Sequence, residues 1–413
     1  MINALKGMKD LLDKDAYYYE KVIKTCEEVA KNYGFTFINT PHLELCTLFK
    51  RSVGESSDIV GKEMYEFIDK GENHVCMRPE GTAGVVRAYI EKKLDKNTSV
   101  KRWFYHGSMF RYERPQKGRL REFHQFGVES FGNASVYEDA SIILMLVEIF
   151  SRLDIKFKLL INSLGCLECM PKYRENLIHF LDSKKDFCED CLRRKNLNPI
   201  RVLDCKNEHC QSLLNDAPLL NQNLCSSCQK DFEILQSVLK ENGVDFEVDS
   251  KLVRGLDYYS KTAFEFISDE IGAKAAIAGG GRYDRLIEYL DGKSGFGVGF
   301  AMGIERIIAI LEQKEEKVQR EGIYLCAMDE IYIQKLLHIA TNLRKEYKVF
   351  LSYEARKLAK HLESADKNNA EIFLCMGENE AQNESLFYKN LAKKEKKMIK
   401  ISDLKKVYDG LWY

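Results

Sequence analysis

Two apolar, aromatic-rich runs, Trp103–Tyr112 and Phe123–Phe131, are separated by a short segment containing Pro115, Lys117, Gly118 and Arg119. Runs of this length bounded by Pro and Gly read as two strands of an antiparallel hairpin. An antiparallel sheet needs one covered face, and the sequence supplies helices to cover it. Residues 15–33 place Val22, Cys26, Val29 and Ala30 at helical spacing before Gly34, and 81–94, 136–153 and 304–313 also read as helices. Further strand candidates are Phe35–Ile38, Phe246–Val248, Leu256–Phe266, Lys274–Gly279 and Gly295–Met302, with Arg282–Leu290 as a short helix. Met64–Ile68 and His74–Met77 form a second hairpin around Lys70-Gly71. After the polar run 314–321 the pattern changes: strand 323–327, helix 331–346, strand 349–351, helix 355–368 and strand 372–375. That alternation describes a small α/β domain with a parallel core.

At 413 residues the chain is long enough for two or three domains, and with 45% hydrophobic residues it can bury a core in each. Its 63 Lys and Arg balance 63 Asp and Glu, which excludes a generally basic nucleic-acid coat but not a local basic face. The start, Met1-Ile-Asn-Ala-Leu-Lys-Gly, lacks the pattern of an export signal, and the run Ser141–Glu148 is too short to cross a membrane. Thirteen cysteines, an odd number, favour reduced thiols over a disulfide framework. A cytoplasmic location with no membrane association is expected.

Five constellations carry residues suited to chemistry. In Arg78-Pro-Glu80-Gly81-Thr82-Ala-Gly84, a turn opening a helix presents free N–H groups beside a carboxylate that can hold an ammonium. Its plain alternative is a helix cap. Phe110 to Glu129 concentrates Arg111, Glu113, Arg114, Gln116, Lys117 and Arg119 around the hairpin turn, a suitable grip for phosphates or a nucleic-acid end. Phe123 offers a ring for stacking a base, and strand alternation puts Gln125 and Glu129 on one face. Charge runs also simply coat surfaces. In Leu252-Val-Arg254-Gly-Leu-Asp257-Tyr258-Tyr259, the phenols suit a small polar ligand or, more plainly, a core. Gly279–Asp284 and Gly297–Arg306 each set glycines before a helix, without a Walker lysine or dinucleotide spacing. Arg306 opens its helix with the charge that the helix dipole disfavours, which points to a nearby anion.

The zone 162–240 is helical and charged, and carries four close cysteine pairs: Cys166 and Cys169, Cys188 and Cys191, Cys205 and Cys210, Cys225 and Cys228. Two such pairs make a tetrahedral zinc site, and eight thiols could make two. Which pairs join is not legible from spacing. Reduced cysteines in a helical insertion are the plain alternative.

These constellations, in this order, resemble the histidyl-tRNA synthetases, a class II aminoacyl-tRNA synthetase family, over nearly the whole chain. The segment around Pro41 is similar to motif 1, Phe110 through Glu129 to motif 2, and Gly299 to Arg306 to motif 3. Arg254–Tyr259 and Gly279–Asp284 resemble the two histidine-specific motifs. The resemblance implies an α+β catalytic domain over 1–318, with a six-stranded antiparallel sheet flanked by helices and a Cys-rich helical insertion at about 166–240. It implies an α/β anticodon-binding domain over 319–413, and a homodimer joined through helix 15–33 and the Pro41 strand. The implied activity is ligation of L-histidine to its tRNA: ATP with Mg²⁺ yields histidyl-adenylate and pyrophosphate, and the tRNA ribose hydroxyl then attacks.

By the same resemblance, Glu80, Gly81, Thr82 and Gln125 hold the histidine ammonium, while Glu129, Tyr258 and Tyr259 form the imidazole pocket. Arg111 and Arg254 flank the α-phosphate and Arg306 binds the γ-phosphate; these three are the catalytic arginines. Phe123 and Glu113 meet adenine, and Arg114, Gln116, Lys117 and Arg119 meet the tRNA acceptor end. The family commonly has Tyr where this chain has Leu120, which bears on the acceptor contact. Any zinc would be structural, since some relatives lack the thiols. The competing reading is a non-catalytic regulatory paralogue that partners an ATP phosphoribosyltransferase. Such paralogues typically lack the C-terminal domain and lose the ATP arginines, whereas Arg111, Arg254, Arg306 and 321–413 are present here. A pure RNA-binding module is a second rival, and the complete histidine pocket argues against it.

Overall fold

The computed structural model describes residues 2–54, 57, 59–96, 99–116, 118–253, 258–271, 275–314 and 320–404. The chain divides into two compact units, Met1–Glu315 and Glu316–Tyr413. The boundary expected at 318/319 lies outside the described residues.

The first unit is organised by an eight-stranded sheet in the order Thr36–Phe37, Lys101–Phe110, Glu122–Phe131, Gly297–Gly303, Ala275–Arg282, Ser260–Ser268, Lys158–Ser163, Glu247–Val248. The six inner strands pair antiparallel throughout, and the two-residue outer strands add to them in parallel. The expected six-stranded antiparallel sheet is therefore present, with a short strand added at each edge. Lys158–Ser163 has no counterpart in the sequence reading, because its apolar run is short and merges with the cysteine zone. Strand alternation sorts the faces of Glu122–Phe131. Phe126 and Val128 enter a core built with Val22 and Val29 of helix Asp13–Asn32, Ile142, Ile143 and Leu146 of helix Val136–Arg152, and Ile307 and Ile310 of helix Ile304–Leu311. Phe123, Gln125, Gly127 and Glu129 are left for the opposite face.

Arg282 departs from the expected helix 282–290. It ends a strand, and only Leu286–Tyr289 is helical. Its buried guanidinium donates to both oxygens of Asp139 and reaches Asp284 at 3.2 Å, while the Thr262 hydroxyl donates to Asp139 at 2.6 Å. Removing one partner of such a buried pair typically costs about 3–5 kcal/mol. This tie joins helix Val136–Arg152 to the back of the sheet.

The insertion leaves the sheet after Lys158–Ser163 and runs through helices Met170–Ser183, Glu189–Leu197, Glu208–Leu213 and Ser226–Glu241. It has its own core around Tyr173, Leu177, Leu203, Cys205, Cys210 and Leu214. The second unit holds a five-stranded sheet in the order Val349–Leu351, Ile323–Ala327, Ile372–Met376, Ser385–Asn390, Lys396–Lys400. The first three strands are parallel, as the alternation requires, and the last two extend the sheet antiparallel. That final hairpin escapes the sequence reading because its Lys-rich strand Lys396–Lys400 is largely exposed and shows little apolar pattern.

Candidate active site

A cavity of about 240 Å³ opens on the sheet face left free by the helices. Glu80, Thr82, Arg111, Glu113, Arg119, Phe123, Gln125, Tyr258, Tyr259 and Arg306 line it, so most of the residues singled out in sequence converge there. Glu305, Gly118 and Leu120 also reach it. Arg254 and Lys117 lie outside the described residues. Arg114 and Gln116 belong to the hairpin loop, where Gln116 pairs with Arg119, and neither lines this cavity.

One end is cationic. Arg111 follows strand Lys101–Phe110, and its Nε donates to the Pro79 carbonyl at 2.9 Å. Its guanidinium sits 5.2 Å from the centre of the Phe123 ring, covering one face of it. Arg306 is anchored by donating to the Ala276 carbonyl. Burial pulls the Arg111 pKa down, and burial with the charge of Arg119 does the same to Arg306. Glu113 is the carboxylate beside them, 3.4 Å from Arg119 and 3.9 Å from Arg111. Three guanidiniums gathered at one end of the cavity leave a field that favours a polyanion.

The other end is carboxylate and phenol. Glu80 accepts from the backbone N–H groups of Thr82 at 2.6 Å and Ala83 at 2.9 Å. It therefore caps helix Thr82–Glu91 while also lining the cavity. Burial raises its pKa, and these N–H bonds oppose the rise. Gln125 Oε1 and Tyr258 Oη are buried and have no hydrogen-bond partner among the described residues. An unpaired buried polar atom is costly, so both are placed to meet a ligand.

Glu129 lies one layer deeper than the expected pocket wall. It is 1% exposed, accepts from Tyr283 Oη, and sits 3.3 Å from Tyr105 Oη. Burial pushes its carboxyl up to about 8, against the hydrogen bond from Tyr283. Gly81, expected to touch substrate, instead makes room for this floor: a Cβ there, or at Gly127, would fall inside the Tyr105 ring. A Cβ at Gly299 would collide with the Glu129 carboxylate.

Sequence reasoning missed Tyr105 and Tyr283 as members of the site. Tyr283 stood inside a string read for its glycines. Tyr105 had a fainter signal, a tyrosine facing Gly127 across the hairpin. Also missed was the lock between the hairpin and the last helix, where Glu305 accepts from the His124 backbone N–H at 2.9 Å and pairs with its Nδ1 at 2.7 Å.

Residues 7–307 match the family model for histidyl-tRNA synthetase, and residues 308–409 match the model for an anticodon binding domain. The chain belongs to the histidyl-tRNA synthetase family. Among curated members, the histidine–tRNA ligase of Campylobacter jejuni subsp. jejuni is 98% identical over 98% of this chain and all of its own length. That of Campylobacter fetus is 64% identical over 98% of this chain and 99% of its own. Among solved structures, apo histidyl-tRNA synthetase from S. aureus superposes with a TM-score of 0.82 at 32% identity, covering 98% of both chains. The class II sheet and the separate C-terminal domain with its own sheet are thus family features. No helix among the described residues is long and apolar enough to cross a membrane.

Proposed function

We propose that this chain is an ATP-dependent histidine–tRNA ligase that forms histidyl-adenylate and transfers the histidyl group to tRNA, releasing AMP and pyrophosphate. The observation that carries the reading is the polarity of the cavity: guanidiniums of Arg111, Arg119 and Arg306 at one end, Glu80, Gln125, Tyr258 and the buried Glu129 at the other. A triphosphate fits the first end and an amino acid with a polar ring fits the second. The α-carboxylate then lies between them, ready to attack the α-phosphorus with pyrophosphate leaving.

Each side chain has a role in this scheme. Glu80, Thr82 and Gln125 hold the α-ammonium. Glu129, oriented by Tyr283 and Tyr105, joins Tyr258 and Tyr259 in reading the imidazole, whose two ring nitrogens need one acceptor and one donor in the neutral form. A phenylalanine or leucine there leaves those buried groups unpaired. Arg111 and Arg254 neutralise charge developing at phosphorus, and Arg306 holds the γ-phosphate of ATP, which enters as its Mg²⁺ complex. Adenine stacks on the face of Phe123 away from Arg111, with Glu113 at its edge. Arg114, Gln116, Lys117 and Arg119 meet the tRNA acceptor end, so Arg119 serves both triphosphate and tRNA.

The catalytic domain ends near 318 and the anticodon-binding domain occupies 319–413. Residues 319–413 carry 17 Lys and Arg against 14 Asp and Glu, so specific contacts rather than bulk charge hold the tRNA there. The active form is a homodimer in the cytoplasm. Supporting this, Phe37, Leu43, Leu45, Phe67 and Ile68 are 44–63% exposed on the short strands near motif 1, apolar surface that a second copy would cover. Zinc is held in the cysteine insertion, away from the reacting atoms. The regulatory-paralogue reading is disfavoured by the intact cationic end and by full-length identity to curated ligases.

The test is ATP–pyrophosphate exchange with each of the twenty amino acids in turn. Histidine alone should drive it; exchange driven by another amino acid, or by none, would overturn the assignment.

A further inference from the structure

The eight insertion thiols do not pair in sequence order. They assemble into two groups, Cys166, Cys169, Cys225 and Cys228, and Cys188, Cys191, Cys205 and Cys210, with the four sulfurs of each within 4.8 Å of one another. The outer pairs of the insertion join each other, and the inner pairs nest between them. The Cys166 sulfur is 3.8 Å from those of both Cys169 and Cys225, and Cys188 is 3.8 Å from Cys205. Four sulfurs at about 2.3 Å from a central zinc stand about 3.8 Å apart at the corners of a tetrahedron. A disulfide needs about 2.05 Å, and none of the thirteen cysteines is bonded. An iron–sulfur cubane, whose four thiolates bind four different irons, spreads its ligands wider than this.

The surroundings suit thiolates. Cys188 and Cys225 each precede the first residue of a helix, and Cys191 and Cys228 lie in those first turns, where the helix dipole favours negative charge. Backbone N–H groups donate to sulfur in both groups, from Cys225 to Cys169 at 3.1 Å and from Cys188 to Cys210 at 3.3 Å.

The two groups differ in what they hold. The inner one lies in the insertion's own core, with Leu203 and Leu214. The outer one closes the neck, tying the chain that leaves the sheet at Ser163 to the helix that returns it. Directly beside it, Gly165 accepts from the Lys261 N–H at 2.7 Å, and Leu164 donates to the Lys261 carbonyl at 2.6 Å. Lys261 Nζ reaches Asp231 at 3.2 Å, on the helix that begins next to Cys225. Lys261 follows Tyr258 and Tyr259 by two or three residues. A second cavity, of about 410 Å³, has Cys166 and Gly165 on one wall and the same two tyrosines on another.

We propose that the insertion binds two zinc ions as tetrathiolates, and that the outer one, through Gly165 and Lys261, positions the Tyr258–Tyr259 wall of the amino-acid pocket. The inner ion stabilises the insertion alone. The positioning half rests on the histidine-pocket reading given above, whereas the metal half does not.

Elemental analysis of the full-length protein, purified without chelator, should find two zinc ions per chain. Replacing zinc by cobalt in the unmutated protein should produce the intense visible bands of tetrahedral cobalt thiolate, a readout that needs no variant to fold. No zinc, a single zinc per chain, bound iron in its place, or cobalt without those bands would each overturn the metal assignment. The pair Cys188→Ser with Cys191→Ser should retain one zinc and leave the KM for histidine in pyrophosphate exchange unchanged. The pair Cys166→Ser with Cys169→Ser should also retain one zinc, but raise that KM about tenfold with the KM for ATP near its original value. Equal histidine KM values in the two variants would overturn the positioning role. Two zincs in a protein without histidine-dependent exchange would remove the functional reading and leave the metal sites standing.

Discussion

The two ends of the cavity are built on opposite electrostatic principles. At the cationic end, Arg111, Arg119 and Arg306 crowd together, with Glu113 beside them. At the other end, Glu80 and Glu129 are buried, and their hydrogen bonds come from backbone N–H groups and phenols. The first end is held charged and waits for an anion. At the second, burial raises the pKa of both carboxylates, and for Glu129 the charge of Glu80 adds to the rise. A strong cation among those carboxylates would fix them as anions and compete with the substrate ammonium. The separation fits the proposed orientation of histidine and ATP.

Substitutions can break or sharpen this contrast. The largest effect is expected for Arg111→Gln, which removes a charge from the end that needs it. The rate of histidine-dependent pyrophosphate exchange should fall on the order of 10²–10³-fold, with the circular dichroism spectrum unchanged. A loss under threefold would show that Arg111 is not in contact with the reacting phosphate.

Glu129→Gln should act at the other end only. An acceptor for the imidazole N–H is weakened, and kcat/KM for histidine should drop roughly 10- to 100-fold while the KM for ATP holds. Equal changes in both constants would erase the distinction between the two ends.

The same substitution should have a smaller and opposite effect on stability. Folding raises the Glu129 carboxyl to about 8 from an ordinary value near 4.5, so between these values the native state binds more protons than the unfolded chain. Stability from this group is complete below 4.5 and is lost as pH rises through about 8. Glu129→Gln removes that loss. Without ligand, its Tm should exceed that of the unsubstituted protein by a few degrees at pH 8, and the gap should close towards pH 5. A gap that widens on acidification would contradict the raised pKa.

The smallest change is expected for Arg119→Ala. Its side chain is about half exposed and its pairing with Glu113 is loose, so exchange should slow only about tenfold or less. Under the proposed acceptor contact, transfer to tRNA should suffer more than exchange; equal losses would confine Arg119 to the triphosphate.

Most of the contrast was legible in the sequence, for physical reasons. Gln125 and Glu129 lie four apart on a strand, so the period of two puts them on one face whatever else happens. Arg306 advertised an anion by opening a helix with the wrong charge. What stayed hidden depended on contacts between distant segments. Tyr105 and Tyr283 act by closing around Glu129 from two different strands, and no local pattern encodes that meeting. Arg282 read as the start of a helix because nothing nearby in sequence reveals Asp139, which lies on helix Val136–Arg152. The cysteine spacing raised the possibility of metal ligands, but the nested grouping required the fold of the whole insertion.

The ring of Tyr105, wedged between Gly81 and Gly127, has a consequence for chemistry aimed at this protein. Beneath the cavity there is no room to spare, because a side chain added at Gly81 or Gly127 would collide with that ring. An inhibitor cannot grow downward. It gains contacts only by reaching sideways, towards the arginines, so compounds that mimic the acyl-phosphate junction should outperform enlarged imidazoles.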